Sequence, residues 1–304
     1  MSALKSRYFN LRRRLQEHTQ LRYPLLYGFL RKLRGEQFQV LSLEYPVSNV
    51  MPRYGYGKPP YAPVLDAIEA SRGRIRAELD EVVRTCERLR DIPEHRGRDS
   101  RKLFWRNGWF SGIDGMVLYA FIGKYRPATY LEIGSGNSTK FARRAVDDFA
   151  LSTRIVSIDP HPRAEIDSLC DEVIRLPLES VDPRIFGMLK AGDILSFDGS
   201  HRSFMNTDVT AFFLDILPSL PPGVLVQIHD IFLPNDYVPG TPYFNEQYLL
   251  ATYLVAYPSI EILMPNAFVC RDAELKSRPL ALWHSWNQEE EVLSGCSFWF
   301  SKTA

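Results

Sequence analysis

The chain has 304 residues, 45% of them apolar and 24% charged, which suits one sizeable α/β domain with an extension and is too short for three ordinary domains. Its net charge of +1 gives no electrostatic footprint for nucleic acid, so nucleic acid is not expected as a partner. The four cysteines, Cys86, Cys170, Cys270 and Cys296, stand singly without a CxxC pair, which argues for reduced thiols and against a disulfide framework or a zinc ribbon.

Residues 1–34 carry Lys5, Arg7, Arg12, Arg13, Arg14, Arg22, Arg31, Lys32 and Arg34 against the single acid Glu17, with Leu4, Tyr8, Leu11 and Leu15 at helical spacing. Two readings stay open for this segment: a solvated helix packed on the rest of the chain, or peripheral contact with an anionic membrane surface. YPLLYGFL (23–30) is short and holds Pro24, so it is no signal-peptide core, and no stretch has the length to span a bilayer. The expected location is the cytoplasm.

Residues 44–63, rich in Pro, Gly and Tyr, cannot form a regular element. A helix is predicted from Val64 to Leu89, where Ile68, Ile75, Val82 and Leu89 repeat every seven residues. Burial of that stripe on the domain and pairing with a second copy both fit. RNGWFSGIDGMVLYAFIGKY (106–125) reads as a Gly-broken aromatic loop leading into an apolar helix.

From Thr129 short apolar runs alternate with helical stretches. TYLEI (129–133), RIVSI (154–158), EVIRL (172–176), DILSF (193–197), GVLVQI (223–228), SIEILM (259–264) and CSFWFS (296–301) read as seven strands. Asn137–Phe149, Ser203–Leu217 and Asn245–Ala256 read as helices between them. Continuous apolar strands spaced by helices give an α/β, doubly wound, mostly parallel sheet, here over 101–304, with residues 1–100 as a helical extension.

Ligands of such sheets bind beyond the carboxyl ends of the strands. The first strand runs into Glu132-Ile133-Gly134-Ser135-Gly136-Asn137-Ser138, where the glycines permit close backbone approach and a sharp turn into a helix. The second ends in Asp159, 23 residues past Gly136, a spacing that suits an acid bonding both hydroxyls of a ribose. The fourth ends in Asp198-Gly199-Ser200-His201 and the fifth in His229-Asp230. A nicotinamide-dependent oxidoreductase is the rival reading, but its fingerprint needs a third glycine where Thr139 stands. No G-K-[ST] follows, which excludes a P-loop.

These motifs, in this order at these strand ends, resemble the class I S-adenosylmethionine-dependent methyltransferases, whose fold is a Rossmann-like seven-stranded sheet. The resemblance covers residues 100–304. D-G-S-H on the fourth strand and H-D on the fifth look most like the sugar and small-molecule O-methyltransferase branch, with its macrolide-sugar O-methyltransferases and cephalosporin-hydroxylase-like proteins. RYGYGKPP and NGWFSGIDG are similar to the front ends of bacterial members.

The resemblance implies S-adenosyl-L-methionine as cofactor, with Gly134, Ser135 and Gly136 against its methionine portion and Glu132 and Ser138 nearby. Asp159 then binds the ribose, Glu179 or Ser180 borders the adenine, and Asp198 lies against the cofactor crevice. It implies His201 as general base, with Asp198, for the hydroxyl of a small molecule or sugar. In metal-dependent relatives the position of Asp198 and an acidic pair on the fifth strand hold magnesium; here the pair is His229-Asp230. Magnesium prefers oxygen ligands and imidazole suits transition metals. Three options stay open: a transition metal on Asp198, His229 and Asp230, a divalent cation without His229, or no metal.

Structural roles compete with these. His201 could cap a helix beginning near Arg202, and His229 and Asp230 could be a strand-end pair. Asp114 could meet the cofactor's ammonium or cap its helix. Tyr54, Tyr56, Trp105, Trp109, Phe110 and Tyr237 are expected to cover a sugar-like acceptor. A non-catalytic scaffold of the same fold, tethered by its basic N-terminus, is the reading from a different class.

Overall fold

The computed structural model describes Glu44, Tyr45 and residues 50–303, apart from Ser111, Arg163, Pro242, Pro258 and Asn287. The chain divides into two compact units, 1–50 and 51–304. The basic segment 1–34 lies outside the described residues. No helix among the described residues is long and apolar enough to cross a membrane.

The second unit opens with helices α1 (Ala62–Ala70) and α2 (Arg72–Cys86). One continuous helix was expected here; it breaks at Ser71, whose hydroxyl donates to the Ala67 carbonyl in competition with the helical ladder. Ile68, Ile75, Val82 and Leu89 are all fully buried within this chain. The seven-residue stripe is therefore core rather than the seam of a coiled coil. α2 packs on α3 (Ile113–Tyr125), and α3 packs in turn on α4 (Asn137–Asp148). α3 is buried at every position from Ile113 to Ile122, which is why its sequence is apolar all round.

The sheet has seven strands: β1 Thr129–Ile133, β2 Arg154–Ile158, β3 Glu172–Ile174, β4 Ile194–Phe197, β5 Leu225–Ile228, β6 Ile260–Pro265 and β7 Phe298–Lys302. Their spatial order is β3-β2-β1-β4-β5-β7-β6. All neighbours are parallel except β7, which runs antiparallel to both β5 and β6. This is the α/β, mostly parallel Rossmann-like sheet expected from the sequence, with strand limits shifted by at most two residues.

The helix expected over Ser203–Leu217 starts later, as α5 (Asp208–Ala211), continues as one wide π turn (Phe212–Ile216) and ends as α6 (Leu217–Ser219). Its start is set by Thr207, whose hydroxyl caps the Thr210 amide. α7 (Glu246–Ala256) follows β5; α8 (Asn266–Val269) and α9 (Ala273–Ser285) lie between β6 and β7. The last two went unread in the sequence, where Pro279 inside α9 masks the helical period. α9 packs on α2. Trp283 of α9 meets Trp105 edge-on at 4.7 Å between ring centroids, and Trp286 stacks on Trp105 at 6.0 Å.

Candidate active site

Parallel pairing without slip lines up the first residue beyond each strand. Ile133 pairs with both Ile158 and Phe197, and Phe197 with Ile228. The ladder runs one step further: Gly134 N–H donates to the Ile158 carbonyl, Asp198 N–H to Ile133, and His229 N–H to Phe197. Gly134, Asp159, Asp198 and His229 thus share one edge of the sheet. Because β7 returns antiparallel with Phe298 opposite Ile228, Cys296 arrives at the same edge, its carbonyl accepting from the Ile231 amide at 2.7 Å.

On the β1–β2 side the groups are mutually satisfied. Gly134 has a φ of +77°, and a Cβ there would lie 1.9 Å from the Asp198 carbonyl oxygen. Only glycine lets the two strand ends approach so closely. Around Gly136 the space a side chain would take is open for 4 Å. Asp159 accepts from the Ser135 amide at 2.7 Å and the His161 amide at 2.8 Å. Each of its oxygens keeps a second lone pair, and the residue is partly exposed. Ser135 Oγ lies 2.6 Å from Ser157 Oγ.

Glu132 is fully buried, accepting from Tyr130 OH at 2.8 Å and Thr139 Oγ1 at 2.5 Å, so it ties β1 to the first turn of α4. Burial pushes its carboxyl up to about 7, against the opposing hydrogen bonds of Ser138, Thr139 and Tyr130. Thr139, where a dinucleotide fingerprint has glycine, is spent on this bond and on the Gly136 amide at 3.1 Å. Ser138 is buried beside it, and Glu179 sits exposed in a short 3-10 turn, Leu178–Ser180.

The β4–β5 side is built differently. His201 stands in a loop, seven residues before α5, so it caps no helix. It is 6% exposed, and its backbone is left-handed at φ 64°, as is that of Asp230 at φ 55°. Non-glycine residues held so are strained by about 1–3 kcal/mol, which persists only where the surroundings enforce it. The start of α7 does the enforcing. Asn245 N–H donates to the His201 carbonyl at 2.9 Å, Asn245 Oδ1 accepts from the Ser203 amide at 2.7 Å, and Glu246 Oε1 lies 2.6 Å from His201 Nδ1.

His201 Nε2 then faces Asp230 Oδ2 at 3.4 Å and Asp198 Oδ1 at 3.6 Å. Burial favours a neutral His201, but the Glu246 bond and the Asp198 and Asp230 charges outweigh it and raise its pKa above the usual value. Burial pushes Glu246 up to about 7, against the opposing hydrogen bond and charge of His201.

His229 is 5% exposed, with Nδ1 at 3.6 Å from Asp198 Oδ1 and 3.9 Å from Asp230 Oδ1. Neither distance is a hydrogen bond, and this buried nitrogen has no hydrogen-bond partner among the described residues. Asp114 is not an N-cap. It accepts from Asn266 Nδ2 at 2.7 Å and from the Ser297 amide at 2.8 Å, joining α3 to the segments at both ends of the β6–β7 excursion.

The structure thus brings Asp198, His201, His229 and Asp230 together with Asp114, which the sequence offered either for the cofactor or as a cap, and adds Glu246 and Cys296, which sequence reasoning did not place here. Asp198, His201 and Asp230 form one group of side chains able to hold a metal ion. Trp105, Phe110 and Tyr237, expected over the acceptor, are instead buried; Trp109 and Tyr56 remain exposed. Phe110 packs against His229 at 5.2 Å between centroids, and Phe244 against His201 at 4.3 Å.

Residues 131–231 match the protein family described as a methyltransferase domain, which spans the whole run of strand ends from β1 to β5. An uncharacterised protein of Archaeoglobus fulgidus is 28% identical over 139 residues, 43% of this chain and 63% of that protein. The chain therefore spans less than two thirds of the length of this relative. Among solved structures, the plantazolicin methyltransferase BpumL in complex with SAH is 14% identical, with a TM-score of 0.40, over 79% of this chain and 99% of that one. The plantazolicin methyltransferase BamL, in complex with SAH and a triazolic desmethylPZN analog, is 12% identical, with a TM-score of 0.35, over 77% and 100%.

Proposed function

We propose that this chain is an S-adenosylmethionine-dependent O-methyltransferase acting on a hydroxyl of a small molecule or sugar, with His201 as general base. The observation that carries this reading is the buried, strained His201, oriented through Nδ1 by Glu246 and presenting Nε2 at the edge shared by Gly134 and Asp159. The β1–β2 side fits the cofactor. The open space at Gly136 and the spare lone pairs of Asp159 suit the methionine portion and the ribose hydroxyls, and Glu179 stands exposed for the adenine. When bound, S-adenosylmethionine supplies an electrophilic methyl group on a sulfonium, so that hydroxyl and sulfonium become methyl ether and thioether.

The protein's task is to orient the acceptor and remove its proton. His201 Nε2 takes that proton, and Glu246 on Nδ1 stabilises the imidazolium that forms. Asp198 and Asp230 face the same nitrogen and hold the developing positive charge. A divalent cation also fits this side. Asp198, Asp230 and the unbonded Nδ1 of His229 give mixed oxygen and nitrogen donors, a set for a transition metal rather than magnesium. Its chemistry would be to lower the pKa of the acceptor hydroxyl.

The test is a paired titration with S-adenosylhomocysteine and NADH, followed by methyl transfer from labelled cofactor to a panel of sugars and phenols. Binding of S-adenosylhomocysteine and transfer to a hydroxyl are expected. Tight NADH binding in its place restores the oxidoreductase reading, and cofactor binding without transfer to any acceptor leaves the scaffold.

A further inference from the structure

The second polar cluster at this edge is Asp114, His229 and Cys296, and it does different work from the first. His229 Nε2 lies 3.5 Å from Asp114 Oδ2 and 3.5 Å from Cys296 Sγ, and Cys296 Sγ lies 3.8 Å from Asp114 Oδ2. A hydrogen-bonded histidine–carboxylate pair closes to about 2.7–2.9 Å. This one does not, although both partners are buried. Ligand bonds of about 2.0–2.3 Å around a tetrahedral zinc ion put neighbouring donor atoms about 3.3–3.6 Å apart. Two sides of the triangle fall in that range and the third, at 3.8 Å, is slightly longer, and its donors are a thiol sulfur, an imidazole nitrogen and a carboxylate oxygen.

The supports expected around a metal site are also present. Asp114 is fixed through its other oxygen by Asn266 Nδ2 and the Ser297 amide. The remaining nitrogen of His229, Nδ1, is buried without a hydrogen-bond partner and is turned toward Asp198 and Asp230. That leaves Nε2, on the Asp114 side, as the ligating atom, with the two carboxylates at 3.6 and 3.9 Å too far from Nδ1 to bond it directly. Asp230 Oδ1 lies 3.2 Å from Cys296 Sγ, beside the triangle.

The geometry points to a site for zinc, or another late first-row divalent cation, on Asp114, His229 and Cys296. It joins three segments distant in sequence: the first turn of α3, the end of β5 and the approach to β7. Through the Cys296–Asp230 contact it adjoins the neighbouring cluster. It explains a histidine at the strand-five position that resemblance alone left open. The inference does not rest on methyl transfer.

The full-length chain, stripped with a chelator, is titrated with cobalt(II). One thiolate-bound cobalt per chain is expected, seen as thiolate-to-cobalt charge-transfer absorption and displaced by zinc. Cys296→Ser should abolish the band, whereas Cys270→Ser and His201→Gln should leave it. Asp114→Asn, compared by chelator competition, should weaken zinc by about 10–100-fold. The site is overturned by absence of the band in natively folded wild type, by its survival in Cys296→Ser, or by unchanged zinc affinity in Asp114→Asn. Should Cys296→Ser fail to fold, the wild-type band and the Asp114→Asn affinity decide. Failure here leaves the methyltransferase reading standing, since no readout depends on it.

Discussion

The two halves of the crevice edge are built on opposite principles. At the ends of β1 and β2 the polar groups close on one another through bonds of 2.5–3.1 Å, and the left-handed backbone at Gly134 is one that glycine tolerates. On the Asp198–Cys296 side only His201 Nδ1 is tightly paired, with Glu246 at 2.6 Å; His201 Nε2 and both nitrogens of His229 stand 3.4–3.9 Å from the acids they face, His229 Nδ1 has no hydrogen bond among the described residues, and His201 and Asp230 are left-handed. Buried polar groups left apart cost free energy that a folded protein normally avoids. The first half is a finished cradle; the second awaits a proton donor, a cation or both.

The sharpest way to break this contrast is to change one residue in each half. His201→Ala removes the proposed base, and kcat should fall by about 10²–10⁴-fold while S-adenosylhomocysteine affinity holds, measured by labelled-methyl transfer and calorimetry. Equal loss of both would make His201 a structural residue. Asp159→Ala acts on the other half and should weaken S-adenosylhomocysteine by about 10–100-fold, the worth of hydrogen bonds to a charged group. Unaltered affinity would remove Asp159 from the ribose.

A smaller change sharpens the comparison within the second half. With the unprotonated His201 as the proposed base, activity should rise with pH through a pKa above the usual histidine value, because Glu246, Asp198 and Asp230 hold the proton on. Glu246→Gln takes away one of those charges and keeps a hydrogen-bond acceptor, so the rising limb of the kcat profile should move to lower pH by about one unit or less. A limb that stays in place would show that Glu246 does not orient and charge the base.

Much of this edge was legible in the sequence because parallel strands in register carry their following residues to one line. Gly134, Asp159, Asp198 and His229 could be ranked by reading what comes next after each apolar run. Glu246 could not, since nothing at the head of α7 marks an acid as buried, and its value to His201 comes from how that helix docks. The same holds for Trp105: an aromatic before a glycine-rich loop suggested a cover for the acceptor, yet Trp283 of an unread helix and Trp286 just past its end enclose it.

The sequence by itself determined the alternation of strands and helices, the glycine turn after β1 and the line of acids and histidines at the strand ends. Those follow from hydrophobic period and backbone freedom, which are local. Only the tertiary structure decided that β7 returns antiparallel, setting Cys296 beside His229 and, through Ser297 and Asn266, fixing Asp114 there. Donor atoms from segments 182 residues apart meet through packing and register, which no short stretch of sequence encodes.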